Sequence, residues 1–252
     1  KLDVKGTKEK PVVFTVYGSG DKSPGDWNEI TLSGEGSPIE HAVFEYGQNA
    51  IVMWDNSSIR DSTVRFSDLG IRVRGGSSSL ERVESRQNET HGLRLDGGAS
   101  ITLNNCVFED NGLNGIFVTN GQLDMVSSTL EGNGKCGLEY KGRGHGGVTN
   151  NLITGNEFEG LRITTDGSNN PNPVIQFNNI YGNAGTGARV VEIPGIRAQS
   201  SATVDDPGDQ AVSEPWSTPA GETIAWIFVR YLALVHAPAP LSLSWFRLWS
   251  SL

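Results

Sequence analysis

Two rows of chemistry-bearing residues recur down the chain at nearly constant spacing. One reads Val52, Arg72, Arg94, Phe117, Glu139, Arg162 and Arg189. The other lies two residues further on and reads Trp54, Arg74, Asp96, Thr119, Lys141, Thr164 and Val191. Guanidinium groups bind carboxylates and sulfates through paired donors, and aromatic faces stack on sugar rings. Trp54, Arg72, Arg94 and Phe117 are therefore the candidate ligand-binding residues, and an acidic polysaccharide is the ligand their chemistry suits. Four residues are candidates for catalysis. Asp96 and Glu139 offer the two carboxylates of a glycoside hydrolase, while Lys141 and Arg162 offer the base and the charge neutralisation a polysaccharide lyase needs. The competing account makes Arg94, Glu139 and Arg162 charge pairs between neighbouring segments on a solvated face, each worth under about 1 kcal/mol.

Both rows hang on a repeating frame of a small residue followed by apolar, any, apolar. It occurs at Ala50-Ile51-Val52-Met53, Gly70-Ile71-Arg72-Val73, Gly92-Leu93-Arg94-Leu95 and Gly115-Ile116-Phe117-Val118. It returns at Gly137-Leu138-Glu139-Tyr140, Gly160-Leu161-Arg162-Ile163 and Gly187-Ala188-Arg189-Val190. The anchors lie 20, 22, 23, 22, 23 and 27 residues apart. The last interval holds a Gly/Asn/Pro-rich insert over 166–173, read as a loop added to one turn. Four residues before their glycines stand Asn88, Asn111, Asn133, Asn156 and Asn183. Phe108, Leu130, Ile153 and Ile180 precede theirs by seven, and Leu103, Met125, Val148 and Ile175 by twelve.

Columns kept in phase over five successive units predict an all-β solenoid, a parallel β-helix with rungs of 20–27 residues. A β-sandwich with regular turns would not hold one glycine, one Asn and two apolar columns in register. Stacked rungs lie about 4.8 Å apart, so the asparagines would form an internal ladder and the two rows would be outward stripes. Asp96 and Glu139 would then be about 10 Å apart. That is at the outer edge of the roughly 6.5–9.5 Å of inverting glycosidases.

Segments such as Phe108-Glu-Asp-Asn-Gly-Leu-Asn-Gly-Ile116 and Ile180-Tyr-Gly-Asn183 carry a resemblance to the right-handed parallel β-helix repeat family, within the pectate-lyase-like superfamily. It covers roughly Ile39 to Val191 and implies the fold without specifying an activity. Pro11-Val-Val-Phe-Thr15 and Pro24-Gly-Asp-Trp-Asn-Glu-Ile30 resemble the lead-in of such helices in secreted and cell-surface bacterial proteins, with Val13, Phe14 and Trp27 covering the open end. Val212-Ser-Glu-Pro-Trp216 resembles their exit strand. The resemblance implies an extracellular or cell-surface bacterial protein that binds carbohydrate or acts as a passive scaffold, with a polysaccharide lyase or hydrolase as the alternative. The chain has no clustered Asp pair and no Asp-rich calcium cluster beside an Arg of the pectate lyase kind.

The expected organisation is a β-helix over 1–222 and a distinct tail over 223–252. The body carries 18 basic and 29 acidic residues, and the tail only Arg230 and Arg247. The apolar tail is too short to span a membrane and is read as a lid, an oligomer contact or an extension. A net charge of −9 excludes nucleic acid as the main partner. No cofactor is implied. Calcium is the metal the residues admit, at Asp110, Asp166 and Asn169 in turns. No pair among the four histidines has zinc-ligand spacing. Cys106 and Cys136 fall in different parts of the rung and are not expected to pair. Asn56 and Asn88 head glycosylation sequons, but Asn88 belongs to the internal ladder.

Overall fold

The computed structural model describes residues 1–18, 20–34, 36–165, 170–190 and 200–204. The insert residues 166–169, the segment 212–216 and the tail 223–252 lie outside them. The described chain is a right-handed parallel β-helix in which every strand pairs with its equivalent one rung away. Three parallel ladders run along it. The first passes through Trp27–Leu32, Gly47–Met53, Leu69–Val73, Leu93–Leu95, the start of Ile116–Val126, the start of Leu138–Thr149, Leu161–Thr164 and Ala188–Val190. The second aligns Val4, Ile39, Ile59, Leu80, Leu103, Met125, Val148 and Ile175. The third aligns Phe14, Phe44, Val64, Ser85, Phe108, Leu130, Ile153 and Ile180. Among the described residues no helix is long and apolar enough to cross a membrane.

The alternating pattern Ψ-x-Ψ sends its apolar members inward, where they form one continuous core. Ile51, Ile71, Leu93, Ile116 and Leu138 are all fully buried. No rung encloses its own apolar side chains, so stability comes from the stack.

The glycine and asparagine columns have one physical cause. A Cβ on Gly115 would sit 2.8 Å from the Gly137 carbonyl oxygen and 2.9 Å from Asn133 Nδ2. A Cβ on Gly137 would meet Gly160 O and Asn156 Nδ2 just as closely. The anchor is glycine for room, because the ladder asparagine of the next rung lies against it. Asn88, Asn111, Asn133 and Asn156 each donate from Nδ2 to Oδ1 of the next asparagine, at 2.8–3.0 Å. A second file runs through Cys106, Ser128, Asn151 and Asn178, with the backbone N–H of each of the first three donating to the next side chain. Each ladder side chain follows a residue of positive φ, such as Asp110 before Asn111 or Asn150 before Asn151. That left-handed residue makes the corner at which the side chain turns inward.

The N-terminal lead-in differs in part from expectation. Val4–Lys5, Val12–Phe14 and Trp27–Leu32 pair in register with the strands that follow. They form the first rung of the helix itself, and Phe14 and Trp27 pack on the rung that follows. Phe14 stacks on Phe44 at 4.7 Å and extends the core column. Trp27 donates from Nε1 to the Glu45 carbonyl. Val13 covers nothing: strand alternation turns it outward and half-exposed.

Candidate functional site

The first ladder carries the outward row as read. Its register aligns Val52, Arg72, Arg94, Phe117, Glu139, Arg162 and Arg189, and places Lys141 opposite Thr164. Val52 is buried, so the exposed stripe begins at Arg72.

Three guanidinium groups converge on Asp96. Arg72 donates to Asp96 Oδ2 from Nε at 3.2 Å and Nη2 at 3.0 Å, and Arg94 donates from Nε at 3.0 Å. Arg74 lies 3.6 Å from Oδ1 and covers the Trp54 ring at 4.5 Å. Asp96 is an ion-pair hub with two more cations around it than it can neutralise. Arg94 also lies 5.7 Å from the Phe117 ring centroid and links this group to the next.

The second group surrounds Glu139, which is only 5% exposed. Its Oε2 accepts from Lys135 Nζ at 2.7 Å and from Asn114 Nδ2 at 2.9 Å. Arg162 Nε lies 3.9 Å from Oε1. One rung on, the buried Glu159 lies 3.3 Å from Arg189 and 4.0 Å from Arg162. Burial alone would raise the Glu159 pKa. Hydrogen bonds from its own backbone, Cys136 and Arg189, with the charge of Arg162, outweigh burial and lower it. Cys136 is the reverse case: burial, then the charges of Glu139 and Glu159, push its thiol up to about 12. His91 stacks on Phe117 at 5.0 Å. Burial, with Arg94 and Lys135 nearby, drives its pKa down to about 4, so it is neutral at physiological pH. Its Nδ1 accepts the Asn114 backbone N–H at 3.3 Å.

These contacts test the sequence reading at several points. Asp96 and Glu139 stand two rungs apart with Phe117 between them, as the spacing predicts, and each is paired with its own cations. Glu139 is not on a solvated face; Asn114, Lys135 and Arg162 enclose it. Arg94 pairs with Asp96 within its own rung, whereas Arg162 reaches across a rung to Glu139. Trp54 lies in the first rung of the stripe and Phe117 in its middle, three rungs on. Lys141 is exposed and forms no ion pair among the described residues. Cys106 and Cys136 are buried free thiols. Among the described residues no group of three or more His, Cys, Asp or Glu could hold a metal ion. Asp166 and Asn169 lie outside those residues. Asn114, Lys135, Phe158 and Glu159 were not anticipated. They stand one or two residues before the anchor glycines, so the same spacing locates them. Their mixed types gave no column to notice. Phe158 is 51% exposed at the corner beside Lys135, to which its backbone N–H is bonded.

The family model for the right-handed β-helix region matches residues 25–146 and 69–204. No curated protein matches the chain by sequence. Solved structures that share the fold include pectate lyase Pel9A, 16% identical with a TM-score of 0.62, covering 77% of this chain and 58% of that one. The A-module of Azotobacter vinelandii mannuronan C-5 epimerase AlgE6 is 15% identical with a TM-score of 0.61, covering 69% and 54%. The periplasmic alginate epimerase AlgG is 14% identical with a TM-score of 0.58, covering 71% and 49%. The chain thus spans about half the length of these structures. The two family matches overlap and together span more than half of the sequence: the chain belongs to the right-handed β-helix family.

Proposed function

We propose that this β-helix binds an acidic polysaccharide laid along its axis, outside the cytoplasm. One observation carries the reading. Among the described residues, Arg72, Arg74, Arg94, Lys135, Lys141, Arg162 and Arg189 lie along the first ladder and its corner with Asp96, Glu139, Glu159 and Asp68, the last in the corner column of Lys135, an excess of three positive charges. The chain as a whole carries −9. A local excess of cations focuses a positive potential on this face despite the overall sign, and a polyanion is the ligand that such a potential attracts. Trp54, Phe117 and Phe158 interrupt the cations, and the exposed Phe158 gives a sugar ring a flat surface to rest on, whereas Arg74 lies over Trp54 and His91 and Arg94 lie against Phe117. Rungs repeat every ~4.8 Å, so a ligand running along the stack meets a new set of side chains at each step. The overall charge opposes the ligand at long range, and salt screens the local attraction. Binding should therefore be weak and lost at high ionic strength.

The solved structures named above act on pectate and alginate by their titles, which supports a uronate-containing ligand. They also support a second reading, in which the face catalyses lyase or epimerase chemistry and the exposed Lys141 exchanges the proton. A glycan array spanning anionic and neutral polymers tests binding. Hits are then incubated with the protein and assayed for unsaturated ends, new reducing ends and inverted C5 centres. Binding without product supports a binding module. Product formation that stops in Lys141→Ala while binding persists would establish the enzyme. No binding to any anionic polymer leaves a passive scaffold.

A further inference from the structure

Arg162 is set apart from the other arginines of the stripe by the burial of its unpartnered Nε. Arg72 and Arg94 are hydrogen-bonded to Asp96. Arg162 sits between two buried carboxylates, 3.9 Å from Glu139 and 4.0 Å from Glu159, and its buried Nε has no hydrogen-bond partner among the described residues. A guanidinium N–H left unbonded beside an acceptor less than ~1 Å out of reach needs a cause, because closing that gap is favourable. The cause lies behind Glu139. Asn114 is fully buried, and both ends of its amide are used. Its Oδ1 accepts the Cys136 backbone N–H at 3.1 Å, and its Nδ2 donates to Glu139 Oε2 at 2.9 Å. Lys135 holds the same oxygen at 2.7 Å. Glu139 is thereby drawn away from Arg162.

The file to which Asn114 belongs is unlike the two structural ladders. In those, the backbone N–H of one rung donates to the side chain of the following rung. In the file His91, Asn114, Cys136, Glu159 the bonds to Asn114 Oδ1 and His91 Nδ1 run the other way, and every member touches the face. His91 backs Phe117, Asn114 holds Glu139, and Cys136 bonds Glu159, which pairs with Arg189. We propose that Asn114 is a positioning residue that holds Glu139 off Arg162, so that the terminal nitrogens of the 28% exposed guanidinium side chain, in contrast to its buried Nε, stay open for a carboxylate or sulfate of the ligand. This inference rests on the reading of the face as a polyanion site.

The variant Asn114→Asp is nearly isosteric and keeps the oxygen that accepts the Cys136 N–H, but it replaces the donor to Glu139 with a like charge. Glu139 should then swing onto Arg162. In the double variant Asn114→Asp/Glu139→Gln, donor and acceptor trade places: the amide introduced at position 139 can donate to the carboxylate introduced at position 114. Two readouts are needed. A crystal structure of each variant reports the distance from the position 139 side-chain oxygen to Arg162 Nε without any ligand. Titration with polygalacturonate reports affinity. The single variant should bring Glu139 within hydrogen-bond distance of Arg162 and weaken binding on the order of tenfold, and the double variant should restore it. If Glu139 stays clear of Arg162 in N114D, or binding is unchanged in both variants, the positioning role is overturned. If the parent binds no polyanion yet Glu139 closes in N114D, the steric role stands and the reading of the face as a polyanion site fails instead. Should N114D not fold, Asn114→Ala removes the same donor without adding charge and is read in the same way.

Discussion

Replacing Asn133 by alanine strikes the internal ladder at its middle. The side chain is fully buried and makes four hydrogen bonds. Its Nδ2 donates to Asn156 Oδ1 at 2.9 Å and to the Phe108 carbonyl at 3.1 Å. Its Oδ1 accepts from the Asn111 backbone at 3.1 Å and from Asn111 Nδ2 at 3.0 Å. Asn156 Oδ1 keeps a donor in the Asn133 backbone N–H. The Phe108 carbonyl loses one of its bonds, and two Asn111 donors lose theirs where no water reaches. At about 1–3 kcal/mol for each stranded group, with partial relaxation, the loss should be about 3 kcal/mol or somewhat more. The assay is equilibrium denaturation by urea, followed by circular dichroism. Asn179→Ala, at an exposed position of the third ladder, is the control and should stay within about 0.5 kcal/mol of the parent. An N133A midpoint that matches the control would refute the load assigned to the ladder.

His91 gives a pH signature. Its folded pKa of about 4 lies below its ordinary value, so its contribution to stability is complete above about pH 6.5 and is lost as pH falls toward 4. Over that window the loss should reach about 3 kcal/mol, and thermal melts of His91→Gln should show a shallower decline in acid. Tyr140 is fully buried, with its hydroxyl unpartnered among the described residues. Tyr140→Phe should therefore leave the melting temperature unchanged or raise it, and a clear fall would reveal an unseen partner. Both thiols are buried, and burial raises the pKa of each. Labelling by a disulfide reagent should be slow in the native protein and complete after unfolding, whereas fast native labelling would contradict the packing around Cys136.

The frame was legible because each rung repeats the same steric problem. The Gly115 position must be bare because Asn133 lies on it, so glycine and asparagine recur together and the eye can follow both. The lead-in was not legible as a rung. Trp27–Leu32 carries no anchor glycine, and Val4–Lys5 is two residues long, too short to show alternation. The face was legible only in part. Alternation tells which residues point outward, and Arg72, Arg94, Glu139 and Arg162 do. It cannot tell that Glu139 is buried, because the atoms that enclose it come from the corner, at Asn114 and Lys135. Those residues have no repeating partner, and a search for columns passes over them.

The most direct test of the account is calorimetric titration of the parent protein with polygalacturonate and with a neutral galactan, at low and at high salt. Alongside it goes Arg162→Ala. The account predicts weak binding of the acidic polymer alone, lost at high salt. In R162A that binding should be abolished while the protein stays folded at the titration temperature, with a lowered melting temperature because the buried Glu139 and Glu159 lose the cation at 3.9 and 4.0 Å. Equal binding of both polymers, or undiminished binding by R162A, would contradict it.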